Sequence, residues 1–194
     1  MKLVVATHNA HKCEEFARIL NPLNIEVVSQ DDIGVKDSAD ETGKTFIDNA
    51  RIKAKAVYDV RKCMVVADDS GLEVESLNNA PGVYTARYGG EGLSDKQRYE
   101  YLLKNMTDIP ENKRQARFCC ALVLIMPNGD EYDFFETCEG KIGFEAQGED
   151  GFGYDPIFMV NDKSFAQISG EEKDKISHRG KALRKLAKKL SELV

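Results

Sequence analysis

The chain has 194 residues, enough for one domain whose core needs no disulfides. Its apolar runs are too short to cross a bilayer, it opens with a strand pattern rather than a signal peptide, and its five cysteines contain no CxxC pair. We therefore expect a cytoplasmic protein with reduced thiols and no membrane partner. A formal charge of −6 argues against general nucleic-acid binding, although lysines that converge locally could still bind a polyanion.

The first half of the chain predicts alternating strands and helices. KLVVA has the pattern of a strand, and HKCEEFARILNPL that of a helix ending at Asn21-Pro22, because the residue before proline avoids helical dihedrals. IEVVSQ predicts a second strand. After a polar loop, the next helix has one apolar face, which is formed by Phe46, Ala50, Ala54 and Val57.

The second half predicts a long hairpin between two helices. A Gly-rich loop, NNAPGVYTARYGGEGLS, precedes the helical segment DKQRYEYLLKNM. RQARFCCALVLIMPNGDEYDFFETCEG predicts a hairpin that turns at Asn128-Gly129, and SHRGKALRKLAKKLSELV predicts a last helix with its leucines facing inward. Together the two halves predict an α/β protein with a mixed sheet rather than a purely parallel one.

Two adjacent carboxylates, Asp68 and Asp69, follow a buried strand in the segment VVADDSGLEV. Aspartate is a poor strand residue, and two side by side repel each other unless a cation or a proton lies between them. The pattern predicts that the strand ends here and that Ser70-Gly71 forms a turn before a second strand. Such a turn could be only structural, or it could deliver both carboxylates to a ligand.

Two segments near the N-terminus suit an anionic ligand. THNAHK lies between a strand and a helix N-terminus, where free backbone N–H groups and Lys12 attract anions, although Thr7 or Asn9 could simply cap the helix. In DSADETGKTFIDNARIKAKA, Asn49 and Lys53 are four residues apart, so both can face one site. Solvated charge is the alternative for each residue of this second segment taken singly.

Two later segments suit a base or sugar. GEDGFGYDPIF combines glycines that let backbone approach a ligand with Phe152 and Tyr154, whose rings could stack on a base, although it could be an ordinary glycine-rich loop. In EEKDKISHRGKA, Ser177 is the predicted cap of the last helix. His178 and Arg179 then lie in its first turn, where cations oppose the helix dipole. A ligand is therefore expected to explain them.

In this order and at these intervals, THNAHK, ADDSG, GFGYDPIF and SHRGKAL resemble the motifs of the inosine triphosphate pyrophosphatase family. The similarity covers essentially the whole chain, including ETGKTFIDNA and APGVYTARYGGE. It implies one domain over residues 1–194, with a long mixed β-sheet dividing two α/β lobes, a nucleotide cleft between the lobes, and a homodimer. It also implies hydrolysis of ITP, dITP and XTP to monophosphate and pyrophosphate.

The resemblance assigns roles to individual residues. Glu41 and Asp69, with Asp68 as a further candidate, would hold Mg²⁺, and Asp69 would also act in catalysis as the proton acceptor. The phosphates would lie against the N-terminal loop and Lys53, and the base and sugar against residues 152–155. The implied substrate-binding residues are Thr7, His8, Asn9, Ala10, His11, Lys12, Lys53, Ser70, Phe152, Gly153, Tyr154, Asp155, Lys173, His178 and Arg179. His11 departs from the family, which often has glycine there.

Two other classes of protein remain as alternatives. A nucleotide-binding sensor without turnover would use the same residues, but the intact set of carboxylates argues against it. A nucleic-acid-binding protein would use the basic stripe of the last helix, which is more simply the solvated face of an amphipathic helix. That stripe consists of Lys181, Arg184, Lys185, Lys188 and Lys189. The predicted partner is thus a purine nucleoside triphosphate and not a nucleic acid.

Overall fold

The computed structural model describes residues 1–193, which contain eight strands and five α-helices. The strands are β1 (Lys2–Val5), β2 (Glu26–Ser29), β3 (Val65–Val74), β4 (Ala80–Pro81), β5 (Gln115–Ile125), β6 (Glu131–Ile142), β7 (Phe158–Val160) and β8 (Lys163–Ser164). The helices are α1 (Ala10–Leu20), α2 (Phe46–Arg61), α3 (Asp95–Asn105), α4 (Gly170–Ile176) and α5 (His178–Leu193).

All eight strands belong to one mixed sheet, as the sequence predicts. Seven follow one another in the order β2-β1-β3-β5-β6-β7-β8, and β4 pairs with β3. Strand β1 is parallel to both β2 and β3, whereas the β3–β4, β6–β7 and β7–β8 pairs are antiparallel. The parallel part of the sheet therefore comes from the alternating first half of the chain, and antiparallel pairs come from the later part.

The first of two compact units comprises Met1–Asp69, Cys120–Glu136 and the described residues from His178 on. Helices α1 and α5 contact each other and share one core with strands β1, β3 and β5. Buried members of this core include Leu3, Phe16, Val66, Leu122, Leu183 and Leu186. Burying each such side chain contributes about 1.5–3 kcal/mol to folding. The predicted apolar face of α2 is confirmed, since Phe46, Ala50, Ala54 and Val57 are all buried.

The second unit comprises Ser70–Cys119 and Thr137–Ser177. Helix α3 begins at a capping box, in which the Ser94 hydroxyl accepts from the Gln97 N–H and the Gln97 side chain accepts from the Ser94 N–H. The core of this unit includes three contacting rings, those of Phe118, Phe158 and Phe165. The ring centroids of Phe118 and Phe158 are 4.6 Å apart, within the range of favourable aromatic pairs.

Strand β3 corrects one prediction from the sequence. There is no turn at Ser70-Gly71, because β3 runs without a break from Val65 to Val74. Side chains alternate along a strand, so Asp68 and Asp69 lie on opposite faces of the sheet instead of leaving the strand together. Each carboxylate meets its own cationic partner, which removes the repulsion that argued for a turn.

The remaining predicted elements agree with the structure, apart from the shortest ones. Helix α1 ends at Leu20 and a short 3₁₀ turn containing Pro22 follows, while Gly129 takes the left-handed φ of +93° that the hairpin turn requires. Helix α4 and strands β4, β7 and β8 were not predicted, because two to seven residues are too few for a periodic pattern. The five cysteines are free thiols, and no helix within residues 1–193 is long and apolar enough to cross a membrane.

Candidate active site

Lys53 joins two carboxylates in the first unit. Its Nζ lies 2.8 Å from Asp69 Oδ1 and 2.8 Å from Glu41 Oε1. Lys53 lies on α2, Asp69 on β3, and Glu41 on the loop that leads into α2. Burial alone would lower the pKa of Lys53, but Asp69 and Glu41 outweigh it and raise that pKa, so the ammonium stays charged.

The pKa of Asp69 is displaced in the direction that suits a proton acceptor. Burial raises the pKa of this carboxyl above its usual 3.8, and the Lys53 ammonium offsets the rise only in part. A base accepts a proton more readily as its pKa approaches the pH at which it works. Asp69 is therefore a chemically suitable general base, and Glu41 beside it adds a second carboxylate, whose hard oxygen atoms are of the kind that divalent cations prefer.

Asn49 lies one helical turn before Lys53 and also contacts Asp69. Its Nδ2 donates to Asp69 Oδ2 at 3.4 Å, and its Oδ1 accepts from the Gly43 N–H at 2.8 Å. The prediction that Asn49 and Lys53 face one site is thus confirmed. Because a backbone N–H can only donate, the amide atom facing Gly43 must be the oxygen, and the NH₂ group must face the carboxylate.

Asp68, on the other face of β3, belongs to a different cluster. Arg179 Nε donates to Asp68 Oδ2 at 3.0 Å, and the Lys12 ammonium pairs with Asp68 Oδ1. Arg179 also pairs with Glu15, and Cys120 Sγ donates to Asp68 Oδ2 at 3.2 Å. Burial would raise the pKa of Asp68, but Arg179 and Lys12 hold it well below the usual range. Asp68 is thus a buried carboxylate that is ionised at neutral pH.

This cluster corrects two expectations. Asp68 does not join Glu41 and Asp69 as a metal ligand, since it faces away from them and is already held by two cations. Arg179 needs no ligand to explain its position in the first turn of α5, because two buried carboxylates neutralise it. The sequence analysis missed Glu15; the available signal was its spacing of three residues from Lys12, which places both on one helical face.

The THNAHK loop begins α1 as a capping structure. Asn9 Oδ1 accepts from the Lys12 N–H at 3.2 Å, and Thr7 Oγ1 accepts from the Asn9 N–H at 3.1 Å. The interpretation that Asn9 caps helix α1 is therefore confirmed. His8 hydrogen-bonds Asp31 and Gln30 through its two ring nitrogens, whereas Ala10 and His11 are exposed at the helix start.

In the second unit, three of the residues that the family resemblance implies for substrate binding, Phe152, Asp155 and Lys173, lie together. Lys173 Nζ lies 2.6 Å from Asp155 Oδ2 and 4.9 Å from the centre of the Phe152 ring. The Phe152 N–H donates to the same Asp155 oxygen at 3.0 Å. The backbone at residue 151 has a left-handed φ of +79°, which favours glycine, and a side chain there would also collide with Asp155. The loop is therefore fixed by these contacts, and it presents the half-buried ring of Phe152.

Two neighbours of this loop were not found from the sequence. The Gly153 N–H donates to Asp95 Oδ2 at 2.8 Å, and the Tyr154 hydroxyl donates to the Thr85 carbonyl at 2.9 Å. Both partners lie more than fifty residues earlier, where no local pattern could reveal them. Tyr154 is buried in the core of the unit, so Phe152 is the better stacking surface of the two. Ser70 is half-buried in β3, and His178 is buried as the first residue of α5.

The carboxylate pair at Lys53 fits a hard divalent cation. Within residues 1–193 no group of three His, Cys, Asp or Glu side chains forms a ready-made metal site. Mg²⁺, however, is usually held by only one or two carboxylates together with waters and substrate phosphates. Glu41 and Asp69 supply that number of oxygen ligands, and they already share one positive charge.

Comparison with known proteins extends over nearly the whole chain. The Ham1 family model matches residues 3–189. The dITP/XTP pyrophosphatase of Salmonella typhimurium is 47% identical over 191 residues, with 95% of each chain covered, and that of Bacillus subtilis is 46% identical over 189 residues, with 96% of each covered. The structure of the Staphylococcus aureus Ham1 protein is 38% identical and matches over 100% of both chains with a TM-score of 0.88.

The mixed α/β fold is thus one that solved structures share over their full length. The chain belongs to the Ham1 family. The membership of this family that the four motifs indicated is therefore confirmed.

Proposed function

We propose that this protein hydrolyses nonstandard purine nucleoside triphosphates, namely ITP, dITP and XTP, to the monophosphate and pyrophosphate. The observation that carries the proposal is the pairing of Asp69 and Glu41 around the single Lys53 ammonium. Relatives 46% and 47% identical to this chain are named dITP/XTP pyrophosphatases, which supports the same substrate class here. A sensor without turnover would not need a proton acceptor in this position.

Glu41 and Asp69 would hold Mg²⁺ in the working enzyme. When bound, the ion supplies positive charge against the triphosphate and favours ionisation of nearby water. In this structure the Lys53 ammonium partly neutralises the two carboxylates. Once released from them, Lys53 would pair with a phosphate of the substrate. Lys12, oriented by Asp68, and the first N–H groups of α1 would contact other phosphate oxygens.

Asp69 accepts the proton of the attacking water in this mechanism. Attack at the α-phosphorus forms the new bond to oxygen and breaks the bond to the bridging oxygen, so pyrophosphate leaves as a unit. An enzyme that attacked the γ-phosphorus would instead release orthophosphate. The raised pKa of Asp69 favours proton acceptance near neutral pH relative to an ordinary carboxylate.

Base selection would depend on Phe152 and His178. Phe152 offers a half-buried ring for stacking, kept in place by Asp155 and Lys173. The His178 ring or a backbone N–H would donate a hydrogen bond to the 6-oxo group of hypoxanthine or xanthine and would leave a 6-amino group mispaired. Arg179, saturated by its two carboxylates, would position the start of α5 rather than contact the base. Thr7, His8, Ala10, His11, Ser70, Gly153 and Tyr154 remain proposed substrate contacts.

The domain organisation, oligomeric state, location and partners of the protein are further proposals. We propose that residues 1–194 act as one domain, that the protein works as a homodimer in the cytoplasm, and that it has no nucleic-acid partner. The net charge of −6 supports the last point, because phosphate-backbone binding depends on an excess of positive charge.

A panel of nucleotides tests the proposed reaction. Purified protein with Mg²⁺ should hydrolyse ITP, dITP or XTP with a kcat/KM at least about 100-fold above that for ATP, since a 6-amino group mispaired against a buried donor costs this much or more. The same preference is expected over GTP, which shares the 6-oxo group and so must be rejected at its 2-amino group. Pyrophosphate and orthophosphate are measured separately, and pyrophosphate should be the main product. Equal rates on ATP, or orthophosphate as the main product, would contradict the proposal.

A further inference from the structure

Asn49 links the two proposed metal-binding carboxylates by a second route, independent of Lys53. Its amide NH₂ contacts Asp69, and its amide oxygen accepts from the Gly43 N–H. Gly43 lies two residues after Glu41 on the same loop. Lys53 bridges the carboxylates directly, whereas Asn49 connects the β3 aspartate to the loop backbone that carries the glutamate. Together the contacts form a closed circuit from Lys53 through Asp69, Asn49 and the loop of residues 41–43 back to Lys53.

Gly43 shows how closely this loop packs on the start of α2. A Cβ atom at Gly43 would lie 2.6 Å from Asn49 Oδ1 and 2.7 Å from Asp48 Cβ, distances that real Cβ atoms essentially never show. The need for glycine here comes from close approach and not from a left-handed backbone, since the φ of Gly43 lies outside that region. Any side chain would therefore push the loop off Asn49.

The polar character of Asn49 has no explanation in helix packing alone. It is 1% exposed, and the other buried residues of α2 are apolar. Burying an amide costs free energy unless its donors and acceptors form hydrogen bonds. Here the NH₂ group bonds Asp69, and the oxygen bonds the backbone of the loop that carries Glu41. An apolar residue would fill the same space but could fix neither Asp69 nor the loop.

We propose that Asn49 and Gly43 form a positioning pair that sets the placement of the Glu41 and Asp69 carboxylates for a divalent cation. The inference rests on the proposed function, in which these two carboxylates hold the metal. Neither member of the pair touches substrate or metal; both act through the carboxylates. Partners of metal-ligating carboxylates typically change metal affinity or activity 10- to 100-fold when they are removed.

The test uses Asn49→Ala, Gly43→Ala and the double variant in the full-length protein. Binding of Mn²⁺, a spectroscopically visible substitute for Mg²⁺, is measured without nucleotide, and kcat and KM are measured with ITP and Mg²⁺. Each single variant should weaken Mn²⁺ binding and lower kcat by about 10- to 100-fold, with little change in KM. The double variant should be no worse than the poorer single variant, because both changes break the same contact.

Val57→Ala is the matched control. Val57 is buried on α2, and its apolar side chain can hydrogen-bond neither carboxylate, so its truncation should lower Tm while leaving Mn²⁺ binding and kcat unchanged. If Asn49→Ala does not fold, Gly43→Ala on the loop decides the question.

Wild-type Mn²⁺ affinity and kcat in the folded variants, or fully additive losses in the double variant, would overturn the positioning pair. So would a wild-type chain that binds no Mn²⁺. A wild-type chain that binds Mn²⁺ but does not hydrolyse ITP would instead refute the proposed function, and the Mn²⁺ affinities would still decide the role of Asn49.

Discussion

Asp69→Asn is expected to lower kcat for ITP by about a hundredfold or more, the usual range for a lost general base. The change keeps the shape of the side chain but removes its charge, its ability to accept a proton and a metal ligand. A group that acts mainly in the transition state lowers kcat when it is lost, whereas a uniform binding contact raises KM. The nucleotide Kd should therefore change much less than kcat, because Lys12, Lys53 and Phe152 remain.

Glu73→Gln supplies the control for this variant. Glu73 is another carboxylate of β3, and it pairs with Arg117. Its loss removes one negative charge from the same strand without touching the Lys53 cluster, so kcat should stay near the wild-type value. If Asp69→Asn keeps near-normal kcat in a folded protein, Asp69 is a structural residue and not the proton acceptor.

Asp68→Asn should instead destabilise the fold. Asp68 is completely buried and carries the negative charge that Arg179 and Lys12 share. Removing one member of a buried ion pair leaves uncompensated charge and costs about 3–5 kcal/mol of unfolding free energy. Urea unfolding at neutral pH measures this loss. The two neighbouring substitutions should thus differ in effect: Asp68→Asn should mainly lower stability, and Asp69→Asn should mainly lower kcat.

The pH dependence of stability gives this prediction a second check. The folded pKa of Asp68 lies below its usual 3.8, so its ionised form stabilises the fold fully above that value and loses the effect as the pH falls through the folded pKa. The stability difference between wild type and Asp68→Asn should be widest at neutral pH and should narrow below pH 3.8.

Asp133→Asn is the control for Asp68→Asn. Asp133 pairs with Arg51 at the surface, where an ion pair contributes only about 0–1 kcal/mol. Equal losses for Asp68→Asn and Asp133→Asn would show that the buried cluster contributes no special stability.

Local patterns predicted the elements that depend on local periodicity. The apolar face of α2 and the hairpin turn at Asn128-Gly129 could be predicted, because each rests on residues within a few positions of one another. The shared face of Asn49 and Lys53 was available for the same reason. These features place Asn49 and Lys53 on the correct helix face before any tertiary contact is known.

The sequence could not predict that Asp68 and Asp69 lie on opposite faces of the sheet, because their partners are distant in sequence. Arg179 is 111 residues from Asp68, and Lys53 is 16 residues from Asp69. Without those cations, aspartate propensity and mutual repulsion favour a turn, and that turn was predicted wrongly. With them, each carboxylate is neutralised on its own side of a continuous strand. Long-range pairing thus overrides the local preference.

The phosphorus atom that water attacks is identified by hydrolysing ITP in water enriched in heavy oxygen and analysing both products by mass spectrometry. Attack of water at the α-phosphorus places the heavy atom in the monophosphate and leaves pyrophosphate unlabelled, which is the result we predict for the wild-type enzyme with Mg²⁺. Label found in pyrophosphate, or in orthophosphate released as the main product, would mean that the water attacks another phosphorus and would contradict the proposed reaction.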